Sequence, residues 1–393
     1  MGAPRYVQAP NLRITHAGDR LTIENVVHFT ALSLHSAITE VLAVFTEPAP
    51  LAAVHEAFDG FSDDVLAELV DALILIDERD LELFRYGSLR AAKQPVGAPA
   101  TLRSIRRDAR ADTFVVLGAP VDLAAAYRAG ARLGPDELRA HVGEIVRPAA
   151  ELMDLDRRRL YDVGALGVRD LGDVYYQRGE SLDAFGARLA RMSGEIVRAG
   201  MTPVVIGGDH SITPFAIAPH LEAHAALGMI HFDGQTRFYD PRPHQPGVHN
   251  FNALGRVLAQ PSLRRLHAVG LRRAGFQLMP ADRFVDDDRV TYVSAREAQR
   301  LSPVAVFEGV PADLPYYLSI SADCLEHDAF PGGLTYYQAS ELLAHVMATF
   351  RIAGVEVVEH RPGTGRPLAH LLGEILLSRA PSRALPAIVL APQ

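Results

Sequence analysis

The sequence predicts an α/β fold: a mainly parallel sheet covered by helices on both faces, forming three α/β/α layers, with a small α+β module before it. Two observations predict this. From residue 113 onward, short apolar runs typical of buried strands alternate with amphipathic stretches typical of helices. Residues 1–90 instead combine a few short strands with short helices. We therefore expect a module at 1–90, a linker at 91–112 and an α/β domain at 113–393.

Composition narrows the functional class. Hydrophobic residues make up 48% of the 393 residues and charged residues 22%, as in globular proteins. The net charge of −8 argues against binding to nucleic acid or to an anionic membrane. The single cysteine, Cys324, excludes a disulfide framework and fits a reducing compartment. No apolar run has membrane-spanning length and the first residues lack the apolar core of a signal peptide, so we expect a cytoplasmic protein.

The first 90 residues have the outline of a winged helix. Strands are predicted at 21–28 and 80–86, with helices at 33–45, 51–58 and 63–76 between them, and Ser62 as an N-cap. Residues 1–100 hold seven basic and fourteen acidic side chains, which excludes phosphate attraction. The outline resembles modules that precede peptide-modifying enzymes of natural-product pathways. Two interpretations stay open: a module that docks a peptide or carrier, or a structural or oligomerising extension.

The linker prediction rests on a segment rich in Ala, Pro and Arg without periodicity. Beyond it, the apolar runs predict seven buried strands, at 114–117, 203–206, 229–232, 266–269, 290–293, 317–320 and 355–358. Helices are predicted at 135–145, 181–198, 213–224 and 336–350. In such a fold the functional site lies at the carboxyl ends of the strands.

Polar groups follow four of these strands directly. Asp209 and His210 come after the strand at 203–206, and Asp233 follows the strand at 229–232. Ser321 and Asp323 follow the strand at 317–320. Glu359 follows the strand at 355–358 and completes the set. Carboxylates and imidazoles gathered at one sheet edge indicate a catalytic, charge-pairing or metal site.

Several ordered motifs carry a family resemblance. They are Gly207-Gly-Asp-His-Ser211, His231-Phe-Asp-Gly-Gln-Thr-Arg237, and Leu318-Ser-Ile-Ser-Ala-Asp323 with Phe330-Pro-Gly-Gly-Leu334, preceded by Leu117-Gly-Ala-Pro-Val-Asp122 and a glycine-containing loop from Tyr127 to Pro135. Together they resemble the ureohydrolase family of arginase, agmatinase and formiminoglutamase over most of residues 113–385. The resemblance implies an arginase-like three-layer fold and chemistry at a guanidino carbon.

The resemblance also implies a metal site that this chain has altered. Family members hold two manganese ions with two histidines and four aspartates. His210, Asp233 and Asp323 are retained, and the other positions carry Gln235 for histidine and Arg237 and Ser321 for aspartate. The two aspartate replacements make the site more positive by about three charges, each worth on the order of several kcal/mol against a dication.

We therefore expect no dinuclear cluster and no cofactor. At most one divalent ion binds weakly, through Asp233, Asp323 and Gln235. A simpler arrangement places the Arg237 guanidinium between Asp233 and Asp323 in an ion pair.

Site roles follow from the same resemblance. Glu359 matches the glutamate that pairs with the substrate guanidinium. His249 lies in the loop where the family has a substrate-facing histidine, although a solvent-exposed histidine is the alternative. The predicted catalytic residues are Asp233, Asp323, His249 and His210. The predicted substrate-binding residues are Glu359, Arg237, Gln235, Asn250, Asp209 and Ser321. Cys324 is not expected to be a nucleophile, because strand alternation turns it away from Ser321 and Asp323.

Two functional interpretations remain. In the first, the protein is an enzyme acting on a guanidino, amidino or related C–N group, free or on a peptide or carrier, without the dinuclear cluster. In the second, it is a catalytically inactive arginase-like protein that binds a ligand or partner chain. We expect a small-molecule or peptide substrate and a homo-oligomer, and no nucleic-acid or membrane partner.

Overall fold

The structure is a computed structural model that describes residues 4–26, 30–81, 89–108, 110–124, 129–146, 151–177, 179–238, 247–272, 287–326, 331–362 and 365–385. The chain divides into two compact units. The first comprises Met1–Ala91 and Gly172–Gly179, and the second Ala92–Leu171 and Glu180–Gln393. Among the described residues, no helix is long and apolar enough to cross a membrane.

The first unit contains an antiparallel three-stranded sheet and three short helices. Its strands are Tyr6–Gln8, Leu12–Ala17, Arg20–Asn25, Thr30–His35, Leu75–Asp77 and Leu89–Arg90, and its helices are Ile38–Val44, Ala52–Ala57 and Asp63–Asp71. Arg20–Asn25 is the central strand of the sheet, between the strands that precede and follow it. Its Leu21 and Ile23 pack with Leu66 and Leu69 of the third helix in one apolar cluster.

Part of the prediction for this unit was wrong. Residues 33–35 end a strand, and the helix predicted at 33–45 begins only at Ile38. Burial alternates residue by residue along Thr30–His35, which fits a strand covered on one face. Asp80 lies in a 3₁₀ turn, Glu78–Asp80, where a strand was predicted, and residues 82–86 of that predicted strand lie outside the described residues. The Ser62 cap is confirmed, since its hydroxyl accepts from the Asp64 amide.

The second unit is built on the predicted parallel sheet. Its large-sheet strands are Phe114–Ala119, Val168–Val174, Thr202–Gly207, Leu227–Phe232, Leu263–Leu271, Val290–Ser294, Pro315–Ser321 and Arg351–Val358, with the short strand Ala98–Pro99 paired to Arg169 and Asp170. A small antiparallel sheet contains Glu151–Asp154, Arg159–Asp162 and Ser382–Ala384. The helices are Leu102–Arg107, Gly134–Ile145, Leu182–Arg198, Thr213–Ala223, Ala253–Leu258, Ala295–Ala298, Pro303–Val306, Tyr336–Thr349 and Gly365–Leu377.

The strand order brings the four predicted strand ends together. Leu227–Phe232, Pro315–Ser321, Arg351–Val358 and Thr202–Gly207 are consecutive neighbours in the sheet. All three pairings between them are parallel, so their carboxyl ends lie at one edge. Each of the four is almost entirely buried, which explains their continuous apolar runs. The fold therefore positions the polar groups that follow these strands side by side.

Some elements of this unit were not predicted. The strand Val168–Val174 contains Arg169, Asp170 and Asp173, so it lacks an apolar run. Its Asp170 is buried because it receives two hydrogen bonds from the guanidinium of buried Arg139, at 2.8 and 3.1 Å. The segment predicted as a linker contains the helix Leu102–Arg107, which begins with a capping box at Thr101.

Gly208 gives a test of how tightly the loop after Thr202–Gly207 is packed. A Cβ atom added to Gly208 would lie 1.6 Å from the carbonyl oxygen of Val121. We expect Gly208→Ala to lower the free energy of unfolding by about 1–3 kcal/mol or more, because the backbone must move. Gly143→Ala is the control: its Cβ meets nothing within 4 Å inside a helix, so about 0.5–1 kcal/mol of stabilisation is expected. Urea denaturation measures both, and an unaffected Gly208→Ala protein would contradict the packing.

Candidate functional site

A buried arginine occupies the centre of the strand-end site. Arg237 is 1% exposed, and its Nε donates to Oδ2 of Asp233 at 2.6 Å. Its Nη2 donates to Oδ2 of Asp323 at 2.8 Å, and its Nη1 lies 3.4 Å from Oε1 of Glu359. The predicted ion pair of Arg237 with Asp233 and Asp323 is thus present, and it extends to a third carboxylate.

Glu359 is held from several sides. Its Oε1 accepts from the backbone amide of His210 at 3.1 Å and from Nδ2 of Asn250 at 3.3 Å. Its Oε2 accepts from Nη2 of Arg361 at 2.7 Å. Both carboxylate oxygens therefore already have donors within the protein, including two guanidinium groups.

Two residues of this cluster have left-handed backbone conformations. Arg237 has φ 56° and Glu359 has φ 59°, a region that non-glycine residues rarely occupy. Such conformations cost on the order of 1–3 kcal/mol and persist where surrounding contacts enforce them. The ion pairs of Arg237 supply contacts of this kind, and strain of this type is concentrated at functional sites.

Burial and charge set the protonation of the cluster. Burial would raise the pKa of Asp233, but the charge of Arg237 and the neighbouring imidazoles of His210 and His231 together hold that pKa well below its ordinary value. Burial would lower the pKa of Arg237, but Asp233, Glu359 and Asp323 raise it instead. Burial, followed by the charge of Arg237, lowers the pKa of His210 to about 3. Asp233 is therefore ionised and His210 neutral at physiological pH.

The residues present do not fit the family's pair of manganese ions. A dinuclear site needs carboxylates that bridge two cations about 3.5–4 Å apart. Here Asp233 and Asp323 are engaged by the Arg237 guanidinium, and Gln235 donates its side-chain amide to Oδ2 of Asp323 at 3.2 Å. The hydroxyl of Ser321 accepts from the Asp323 amide at 3.2 Å and supplies no negative charge. A guanidinium thus bridges Asp233 and Asp323, the two carboxylates that the pair of cations would have to share.

A different set of side chains converges beside this ion pair. Nε2 of His210 lies 3.0 Å from Oδ2 of Asp233, and Nε2 of His231 lies 3.5 Å from the same oxygen. All three side chains are fully buried and their ligand atoms lie within 4.8 Å of one another. Sequence reasoning missed His231 because it lies inside an apolar strand. Its spacing of two residues from Asp233, which places both on one face, was the available signal.

A buried carboxylate, that of Glu356, is linked to both histidine rings by hydrogen bonds through two hydroxyl groups. Oε1 of Glu356 accepts from the hydroxyl of Thr213 at 2.9 Å and of Ser319 at 2.6 Å. Nδ1 of His210 lies 3.0 Å from the Thr213 oxygen, and Nδ1 of His231 lies 3.1 Å from the Ser319 oxygen. Two parallel chains of hydrogen bonds therefore run from Glu356 to the two rings.

Glu356 gives a pH-dependent prediction. Burial raises its pKa from 4.5 to about 7, against the hydrogen bonds that it accepts. Because the folded-state pKa is the higher one, its stabilising contribution is complete below pH 4.5 and is lost as the pH rises through 7. We expect Glu356→Gln to become more stable relative to the unmodified protein by on the order of 3 kcal/mol between pH 4.5 and 8.

Urea denaturation at both pH values measures this difference. The exposed Glu341→Gln is the control and should show no comparable change with pH. An equal Glu356→Gln effect at both values would contradict the raised pKa.

The remaining predicted residues lie around this cluster. His249 is 5% exposed and its Nε2 lies 3.0 Å from Nδ2 of Asn252, so it is not the solvent-exposed histidine of the alternative. The backbone carbonyl of Asn250 accepts from Arg237 at 3.4 Å.

Asp209 accepts from the amide and hydroxyl of Ser211, and burial together with Glu359 raises its pKa to about 7. Tyr127 and Phe330, which open two of the motif stretches, lie outside the described residues.

Cys324 faces the hydrophobic core, although not for the predicted reason. The strand ends at Ser321, and Ala322–Cys324 form a 3₁₀ turn, so strand alternation does not apply. The side chain is 1% exposed and belongs to the main apolar cluster. Burial raises the pKa of its thiol, which disfavours a thiolate nucleophile.

Comparisons with known proteins agree with this architecture. The model of the arginase family matches residues 112–376. Agmatinase of Neisseria meningitidis serogroup A is 29% identical over 261 residues, covering 63% of this chain and 79% of that protein. Agmatinase of Sodalis glossinidius is 28% identical over 265 residues, with the same coverage of each.

Solved structures show the same fold. Proclavaminate amidino hydrolase from Streptomyces clavuligerus superposes with a TM-score of 0.58 at 24% identity, over 72% of this chain and 97% of that one. Arginase from Bacillus subtilis superposes with a TM-score of 0.56 at 22% identity, over 67% of this chain and 98% of that one.

Proposed function

Because this chain belongs to the arginase family, we propose that it acts on an amidino, guanidino or related C–N group without the two-manganese cluster. The observation that supports this is the binding of the Arg237 guanidinium by Asp233, Asp323 and Glu359. The strand-end carboxylates are thus arranged around a planar cation of the class that the family recognises. The names of its relatives, agmatinase and proclavaminate amidino hydrolase, point to the same substrate class.

In this proposal the side chains have separate roles. Glu359 orients the cationic substrate group, with Asn250 beside it. His249 transfers protons, and His210 orients Glu359 through its backbone amide. Asp233 and Asp323 are weak bases while they pair with Arg237, so they position that arginine instead. Arg237 supplies the positive charge that stabilises a developing anion in place of metal ions.

The substrate enters as a small molecule or as part of a peptide or carrier. For a substrate on a peptide or carrier, we propose that the N-terminal module predicted at residues 1–90 docks that peptide or carrier. We also propose that the protein is a cytoplasmic homo-oligomer, as the family resemblance implies. These assignments extend the amidino-group proposal and are tested after it.

A second candidate function is an inactive relative that binds a ligand or a partner chain. The observation that favours it is the occupation of both Glu359 oxygens by internal donors, among them Arg361 at 2.7 Å. An external guanidinium would compete with these groups for the Glu359 carboxylate. Binding without turnover would be the outcome of that arrangement.

One experiment separates the two candidates. The purified protein, with and without added manganese or chelator, is incubated with free arginine, agmatine and arginine-containing peptides. Mass spectrometry then follows conversion of the guanidino group to an amine with release of urea, and calorimetry follows binding. Turnover that Glu359→Gln abolishes and exposed Glu341→Gln retains supports the enzyme.

The other outcomes are equally informative. Binding without turnover supports the inactive relative. Turnover only with two manganese ions per chain, or neither binding nor turnover with any compound, would contradict the proposal.

A further inference from the structure

We propose that His210, His231 and Asp233 form a site for one transition-metal dication of the class that prefers nitrogen ligands, such as Zn²⁺. This site differs from the family's implied manganese pair in its number of ions and in its use of His231. It also differs from the set Asp233, Asp323 and Gln235 that the sequence predicts. It does not depend on which reaction the protein catalyses.

Two separations among the three ligand atoms are close to those around a single ion, and all three atoms lie within 4.8 Å of one another. Metal bonds of about 2.0–2.1 Å at angles of 90–109° separate neighbouring ligand atoms by about 2.9–3.4 Å. Nε2 of His210 and Oδ2 of Asp233 are 3.0 Å apart, and Nε2 of His231 and the same oxygen are 3.5 Å apart. Two imidazoles and one carboxylate are a ligand set found at zinc and non-haem iron sites.

The direction of the hydrogen bonds leaves both Nε2 atoms without a proton. The hydroxyls of Thr213 and Ser319 donate to Glu356, so each hydroxyl oxygen accepts from the Nδ1 of its histidine. A neutral ring with its proton on Nδ1 presents a lone pair at Nε2. Within the described part of the chain, neither Nε2 atom has a partner in hydrogen-bond geometry, although both are buried.

Three electron-rich atoms thus face one another in a site shielded from solvent. Two Nε2 lone pairs directed towards the same carboxylate oxygen are repulsive unless a cation lies between them. The 3.0 Å contact from His210 lacks hydrogen-bond geometry, as expected when two ligands point at a common third position.

A proton is the weaker alternative to a metal ion. A proton on Oε1 of Glu356 can be donated to only one of the two hydroxyls, those of Thr213 and Ser319. It therefore reverses the hydrogen-bond direction in one of the two chains only. One Nε2 lone pair then still faces Asp233.

Arg237 and the residues behind the rings select the kind of ion. The Nε of Arg237 donates to Oδ2 of Asp233, while Asp323 and Glu359 balance the rest of the arginine's charge. With a single ligating carboxylate, the site has too little negative charge for hard cations such as Mn²⁺ or Mg²⁺. Glu356, acting through Thr213 and Ser319, fixes both rings in the same way as the second ligand layer of known zinc sites.

The test measures metal content and ligand type in the full-length protein. After loading with zinc and extensive dialysis, we expect one zinc ion per chain by mass spectrometry of the elements. In the cobalt(II) form, we expect intense visible bands of a four-coordinate site with nitrogen ligands. We expect His231→Gln to weaken zinc binding by more than about 100-fold, because it removes a ligand.

His267→Gln is the matched control and should bind zinc like the unmodified protein. His267 is also buried on a strand of the same sheet, and its Nδ1 lies 2.8 Å from the Thr291 hydroxyl, but it does not belong to the group of His210, His231 and Asp233. If His231→Gln does not fold, the cobalt spectrum of the unmodified protein decides.

Other results would overturn the inference. These are absence of zinc after loading, equal binding by His231→Gln, or a cobalt spectrum of a six-coordinate oxygen site. Turnover of a guanidino compound by a protein that retains no zinc after loading would leave the proposed function standing while this inference failed.

Discussion

Replacing Arg237 with methionine is expected to destabilise the protein by about 3–5 kcal/mol, the cost of removing one partner from a buried ion pair. The substitution leaves Asp233, Asp323 and Glu359 without the cation that they share, in positions with at most 3% exposure. Methionine fills a similar volume without the charge. Urea denaturation at pH 7 measures the loss.

Arg132→Met is the control for this experiment. Arg132 pairs with Asp122 at 3.3 Å, but its side chain is 55% exposed, and we expect a change of about 0–1 kcal/mol. The same effect in both variants would contradict the assignment of Arg237 as the group that neutralises the site.

Restoring the three altered ligand positions is expected to restore manganese binding. The triple variant Gln235→His, Arg237→Asp, Ser321→Asp returns the two carboxylates and the imidazole that the family resemblance implies, next to His210, Asp233 and Asp323. It makes the site more negative by about three charges, which reverses the electrostatic penalty for two dications. We expect two manganese ions per chain after loading and desalting, measured by elemental mass spectrometry.

Arg237→Asp alone is the control for the triple variant. It removes the guanidinium but restores only one of the three ligands, so we expect it to retain fewer manganese ions than the triple variant. A folded triple variant with no more manganese than the unmodified protein would show that the three substitutions do not explain the altered site.

The sheet and the central ion pair could be predicted, for different physical reasons. Strands that are buried on both faces need continuous apolar runs, and these runs mark the four strands of the site. The Arg237 ion pair follows from charge alone, since a cation placed among carboxylates binds them. By contrast, the strand Val168–Val174 was missed because its buried Asp170 is neutralised by a distant partner, Arg139, which no local pattern reveals.

The candidate site was predicted only in part. His231 and Glu356 lie within apolar strands, where sequence reasoning assigns them to the strand and not to the site. Their function depends on neighbours such as Ser319 and Thr213, which come together only when the strands pair. A set of ligands that comes from several strands can therefore be predicted only when the strand order is known, and the sequence alone does not supply that order.

Because Cys324 is buried, the reaction of its thiol with a labelling reagent reports local opening of the fold around it. It is the only thiol among 393 residues, and it immediately follows Asp323 of the site. A thiol reagent can reach it only when the turn Ala322–Cys324 leaves the core, so the labelling rate counts those openings. Any metal ion or ligand that stabilises this edge of the sheet should slow the labelling. A binding assay thus exists in the native sequence, without an added probe.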